Sequence, residues 1–88
     1  MNVIMLYRPK SEHSSVVEAF AREYDRIHPG KEIELLDADS LDGSHKARVY
    51  DIMEYPTILA LTADGQVLQR WSGEMLPLMH EVAYYANS

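Results

Sequence analysis

Hydrophobic positions along this chain fall in blocks whose period switches between strand and helix. Asn2-Val3-Ile4-Met5-Leu6-Tyr7 is apolar at nearly every position, the pattern of a strand covered on both faces. Its place at the start of the chain predicts a central strand with no further element ahead of it. A polar loop follows, Arg8-Pro9-Lys10-Ser11-Glu12-His13-Ser14. Val16, Val17, Phe20, Tyr24 and Ile27 then recur at three- and four-residue steps, which predicts a helix with that stripe buried. Ser15, with Glu18 three residues on, has the spacing of a capping box and marks the expected helix start. His28-Pro29-Gly30 marks its end, because proline cannot continue the helix and glycine suits a left-handed exit. His28 has a structural role there, its charge lying favourably against the helix dipole.

Glu32-Ile33-Glu34-Leu35-Leu36 reads as a second strand, running into Asp37-Ala38-Asp39-Ser40. A second helix is expected from Gly43 to Asp51, capped by Asp42 or Ser40. Pro56 opens a third strand, since proline sits in a central strand only at its first residue or a bulge. The apolar run Ile58-Leu59-Ala60-Leu61 continues that strand up to the turn signal Thr62-Ala63-Asp64-Gly65. Gln66 to Trp71 alternates imperfectly, as an edge strand does. After Ser72-Gly73-Glu74, Pro77 suits the first turn of a closing helix with Leu78, Val82 and Tyr85 as its buried stripe. The order is βαβαββα: an α/β domain over residues 1–88, with a mixed four-stranded sheet and helices on both faces. Met5 and Tyr7 are expected inside the sheet near Ile58 and Leu61, and the tyrosines at 24, 50, 84 and 85 in the core.

Charge and composition narrow the function. The 88 residues suffice for one small core, and the 47% apolar and 25% charged shares are those of a soluble globular protein. No apolar run reaches the length of a membrane span and no signal-peptide pattern is present, so a cytoplasmic location is expected and no membrane partner. A net charge of -6 makes nucleic acid a poor partner, because phosphate binding needs clustered Lys and Arg. With no cysteine the chain forms no disulfide, thiolate metal site or covalent thiol intermediate. The four histidines lack metal-ligand spacing, and His45 and His80 have no partner at four residues. Asp37, Asp39 and Asp42 approximate a calcium loop, but Leu41 interrupts the ligand pattern and Arg48 stands where a bidentate glutamate is needed. No metal and no cofactor is expected.

The spacing Ala47-x-x-Tyr50-x-Ile52-x-x-x-Pro56-Thr57, with Gly73 past the hairpin, resembles the segment around the cis-proline of thioredoxins. The resemblance covers most of the chain and implies the minimal thioredoxin-like fold with a cis Tyr55-Pro56 bond. Setting Tyr7 on the aromatic that ends the family's central strand puts Ser11 and Ser14 on the two cysteines of its Cys-x-x-Cys turn. Glu12 and His13 take the middle positions, and Met5 stands where many thioredoxins bury an aspartate. Both the thiols and the acid that would serve them are replaced.

The resemblance implies a groove formed by Ser11, Glu12, His13 and Ser14, by Tyr55 and Pro56, and by Ser72, Gly73 and Glu74. An extended protein or peptide partner would lie there, and Glu12, Glu54 and Glu74 favour a basic or apolar segment. Trp71 and Tyr55 flank its loops. Ser-x-x-Ser before a helix also has an ordinary reading as turn and cap chemistry, and His13 lacks an acid to orient it as a catalytic base. The expectation is a redox-inactive binding or regulatory module with no catalytic residues. Two alternatives stand beside it. One is a thiol-disulfide oxidoreductase whose cysteines at 11 and 14 have been replaced by serine. The other is an assembly protein resembling KaiB, which shares the Leu-Tyr strand end and the Pro-Thr start but not the glycine after the hairpin.

Overall fold

Strand β1 (Asn2–Tyr7) is buried from its second residue onward, and the rest of the molecule assembles on both its edges and both its faces. The computed structural model describes residues 2–86. Helix α1 (Ser14–Ile27) returns the chain to β2 (Ile33–Asp37), which pairs parallel with β1, Met5 opposite Leu35. Helix α2 (Leu41–Val49) leads to β3 (Thr57–Leu61), antiparallel to the other edge of β1 with Met5 opposite Ile58. β4 (Val67–Ser72) closes the hairpin, and α3 (Met79–Ala86) ends the described chain. The sheet order is β2-β1-β3-β4, the mixed four-stranded sheet that the hydrophobic pattern predicts.

Because successive side chains in a strand point to opposite faces, β1 and β3 each supply two cores. Val3, Met5, Tyr7, Ile58 and Ala60 meet Val17 and Tyr24 of α1 and Val82 and Ala83 of α3. Ile4, Leu6, Leu59 and Leu61 meet Leu36, Ile52 and the α2 side of the molecule, with Ala47, Tyr50 and Tyr55 packed around them. Leu61 therefore lies on the face opposite Met5 and Tyr7, contrary to expectation.

Several local expectations need correction. Ser15 does not cap α1: the N-cap is His13, with no side-chain cap bond, and Glu18 instead accepts a hydrogen bond from the Tyr7 hydroxyl at 2.8 Å. The buried stripe of α1 is Val17, Ala21 and Tyr24, with Phe20 partly buried, whereas Val16 and Ile27 are exposed. The stripe is rotated because two helices share this face, and α3 covers part of it. Ser40 is the cap of α2, accepting the Gly43 N–H at 2.9 Å, so the helix begins at Leu41 rather than Gly43 and ends before Asp51.

The imperfect alternation of β4 is a bulge between the Ala60 and Leu61 pairings, which leaves Val67 and Leu68 exposed and turns Gln69 and Trp71 inward. In α3, Leu78 precedes the helix and is exposed. The buried positions are Val82 and Ala83, with Tyr85 edge-on to Trp71 at 5.6 Å and Tyr84 exposed rather than in the core. The Leu78 N–H donates to Glu81 Oε1 at 3.2 Å, half of a capping box in which the apolar Leu78 has no side-chain oxygen to complete the other half.

Candidate functional site

The end of β1 and the start of α1 are joined by a hydrogen-bonded turn. Ser11 Oγ donates to the Arg8 carbonyl at 2.6 Å, and the Ser14 N–H donates to the Ser11 carbonyl at 3.3 Å. The Arg8 N–H donates to His13 Nε2 at 3.2 Å, so the neutral ring carries its proton on Nδ1. His13 is thus a turn residue with a backbone partner. Below the turn, burial first, and then the hydrogen bond and negative charge of Glu18, push the Tyr7 hydroxyl up to about 12. A raised tyrosine pKa means the neutral form is favoured by the fold. That contribution is whole below the ordinary value near 10 and is lost as pH climbs from there through about 12. A tyrosinate absorbance titration should therefore show one tyrosine ionising late, with stability falling over that alkaline interval, and Glu18→Gln should lower its midpoint.

The second loop enters β3. The Tyr55-Pro56 peptide is cis, and Pro56 is buried. Among the described residues Thr57 is the one buried polar side chain: its hydroxyl donates to the Glu54 carbonyl at 2.7 Å and shares a hydrogen bond with Ser72 Oγ at 3.2 Å. Two contacts hold the approach to this loop against the hairpin. The Tyr50 hydroxyl donates to the Gly65 carbonyl at 2.9 Å, and the Arg70 guanidinium donates to the Tyr50 and Asp51 carbonyls.

The third loop follows β4. Gly73 adopts φ +98°, a conformation side chains rarely take, and its N–H donates to the Pro56 carbonyl at 2.9 Å.

These three loops enclose a groove of about 330 Å³. Its floor and walls are Pro56 with Val16, Val17 and Leu76, and its polar groups are Glu12, His13 and Glu74. Glu12, His13, Pro56 and Glu74 are thereby brought together. Ser11 is not among them. It lines a separate hollow of about 380 Å³ with Arg8, Lys10, Asp37 and Asp39, on the side of the parallel strand pair. Ser14 begins α1, Ser72 is engaged with Thr57, Gly73 holds the backbone of Pro56, and Tyr55 packs against the α2-side core with Arg8 stacked 5.0 Å from its ring. Val16, Val17 and Leu76 were not anticipated as site residues. The hydrophobic period places Val16 and Val17 together in the buried stripe of α1. For Leu76 a signal existed, since Met75-Leu76 is an apolar pair in a loop just ahead of Pro77.

The acidic pairs that approximate a calcium loop have ordinary partners. Asp37 Oδ1 accepts the Asp39 N–H at 2.8 Å and Asp42 pairs with Lys46 at 3.1 Å.

No family profile matches the sequence, and no curated protein matches it. Solved structures do. Thioredoxin 1 from the thermophilic eubacterium Thermosipho africanus TCF52B superposes with a TM-score of 0.68 at 13% identity, over 99% of this chain and 91% of that one. The fold is thioredoxin-like. A malarial protein gives a TM-score of 0.65 at 19% identity, covering 99% of this chain and 96% of its own. A designed protein gives 0.64 at 19% identity, covering 98% and 72%. At these identities the likeness concerns the backbone alone. Within the thioredoxin-like fold, a chain with no cysteine has no thiolate with which to attack a disulfide.

Proposed function

We propose that this chain is a redox-inactive binding module that holds an extended protein or peptide segment in the groove beside Pro56. The observation that carries the reading is the convergence of three loops distant in sequence on one open, apolar-floored groove: Glu12 and His13, then Pro56, then Glu74 and Leu76. The Tyr55 backbone N–H and C=O have no hydrogen-bond partner among the described residues, which leaves them for an added strand. Titrating the isotope-labelled protein with a short peptide of alternating valine and lysine tests this by NMR. Amide shifts are expected over residues 12–17, 54–57 and 73–76. Shifts confined to α2, or none at millimolar peptide, would overturn it.

The redox-inactive half of the reading has its own test. The protein should leave the disulfides of insulin intact. In the variant carrying Ser11→Cys and Ser14→Cys, the turn that bonds Ser14 N–H to Ser11 C=O holds the two Cα atoms within about 7 Å, near the span of a disulfide, so bridging needs only a side-chain rotation at residue 11. The start of α1 favours thiolate there, while Glu12 opposes it and buried Met5 relays no proton. We expect an internal disulfide that forms on mild oxidation, seen as a mass loss of two hydrogens, and slow turnover. Free thiols or bridges only between molecules would show that residues 11 and 14 are not a paired site.

A further inference from the structure

We infer that the groove selects a segment in which a lysine or arginine is flanked by apolar side chains, and that Glu12 and Glu74 are the selecting residues. The inference rests on the binding reading above and adds the chemistry of the partner.

Its first support is charge without compensation. Glu12 and Glu74 are both exposed at the groove, and neither has an ion-pair partner among the described residues. Glu54 lies on a neighbouring loop, its Oε2 standing 3.4 Å from where a Cβ on Gly73, the residue before Glu74, would be. The cations nearest in sequence are committed elsewhere. Arg8 faces Asp39 at 3.9 Å and stacks on Tyr55, and Arg70 is bonded to the carbonyls of Tyr50 and Asp51. Lys10 lines the other hollow. In a chain of net charge -6, two glutamates at one opening repel an acidic segment and draw a basic one, and this governs encounter and specificity more than raw affinity.

The second support is the surface between the carboxylates. Val16, on the groove wall, is 57% exposed beside a floor made by Pro56, Val17 and Leu76, and Met75, next to Leu76 in the chain, is 92% exposed. Large apolar side chains left in water beside a concave floor are surface that a partner's neighbouring residues would cover. In an extended segment alternate side chains point the same way. A cation between two apolar residues therefore reaches the rim while its neighbours reach the floor, its aliphatic stem lying along the apolar wall.

Fluorescence anisotropy with three labelled peptides tests this: Ala-Val-Lys-Val-Ala, the same peptide with norleucine for lysine, and the same with glutamate. Norleucine keeps the stem and removes the charge. The lysine peptide should bind about fivefold or more tightly than the norleucine peptide at low salt, and the glutamate peptide should bind least. Glu12→Gln and Glu74→Gln should each weaken the lysine peptide about two- to fivefold, the scale of a solvent-exposed ion pair, and leave the norleucine peptide unchanged. Added salt should shrink the preference. Glu34→Gln, the same change of net charge on the exposed β2 edge, should alter neither. Equal binding of lysine and norleucine peptides, or an equal effect of Glu34→Gln, would overturn the selectivity while the groove reading stood. Failure of all three peptides to bind would remove both.

Discussion

Replacing Gly43 by alanine should destabilise the protein by at least about 2 kcal/mol, although helix propensity alone forecasts a gain of about 1 kcal/mol. Gly43 is buried in the first turn of α2, where its N–H is held by Ser40 Oγ, itself donating to the Asp37 carbonyl at 2.7 Å. A Cβ on Gly43 would stand 1.9 Å from that same carbonyl oxygen and 2.7 Å from its carbon. Both are backbone atoms at the end of β2, so no rotamer change relieves the overlap. The helix must lift from the strand, and the Ser40 cap, worth about 1 kcal/mol, is lost with it. For a domain of this size the expected fall in melting temperature is about 10 °C or more. Urea and thermal unfolding would read it, and a neutral or stabilising outcome would mean that α2 does not sit against Asp37 as described. The sign alone decides.

Ile58→Ala should cost roughly 2–5 kcal/mol, against a total stability that for a domain is typically about 5–15 kcal/mol. Ile58 is fully buried at the middle of the central strand pair, opposite Met5 and under Val17 and Val82. Helices from two directions and a strand on each side fix its surroundings, so the cavity left by truncation has little freedom to close. Val67→Ala, one strand further out on the exposed edge, should cost only a few tenths of a kcal/mol. Unfolding of the two variants side by side separates the core from the edge. Similar losses for both would mean that the strand order is wrong.

The order of elements was legible because β1 and β3 are apolar on both faces and because Pro29, Gly30, Gly65 and Pro77 punctuate the chain. Which face each residue takes was less so. Val16 and Val17 are adjacent in a helix and both apolar, yet one closes the core and the other opens onto the groove. The division depends on how much of the sheet α3 covers, and α3 arrives some sixty positions later. Glu18 illustrates a different limit. At capping-box distance from Ser15 it has two available partners, the local backbone and the Tyr7 hydroxyl, and only the tertiary structure brings the second within 2.8 Å. The candidate site divides along the same line. It is the resemblance to thioredoxins that groups Glu12, His13, Pro56 and Glu74 at one groove, whereas Ser11 lines the hollow beside Asp37 and Asp39, a matter of a few backbone bonds that spacing does not encode.

The strand order β2-β1-β3-β4 also sets a schedule for synthesis. β1 leaves the ribosome ahead of the other six elements described, and its first partner, β2, follows after one helix. Its other edge and half of its burial wait for Thr57–Leu61. At about 5–20 residues per second, the apolar strand spends on the order of a few seconds with backbone donors and acceptors unpaired along one side. During that interval, among the described elements, α1 covers one face and the other waits for α2 and Ile52. The strand written first is the one completed late, and whatever guards the nascent chain has to guard Ile4 and Leu6.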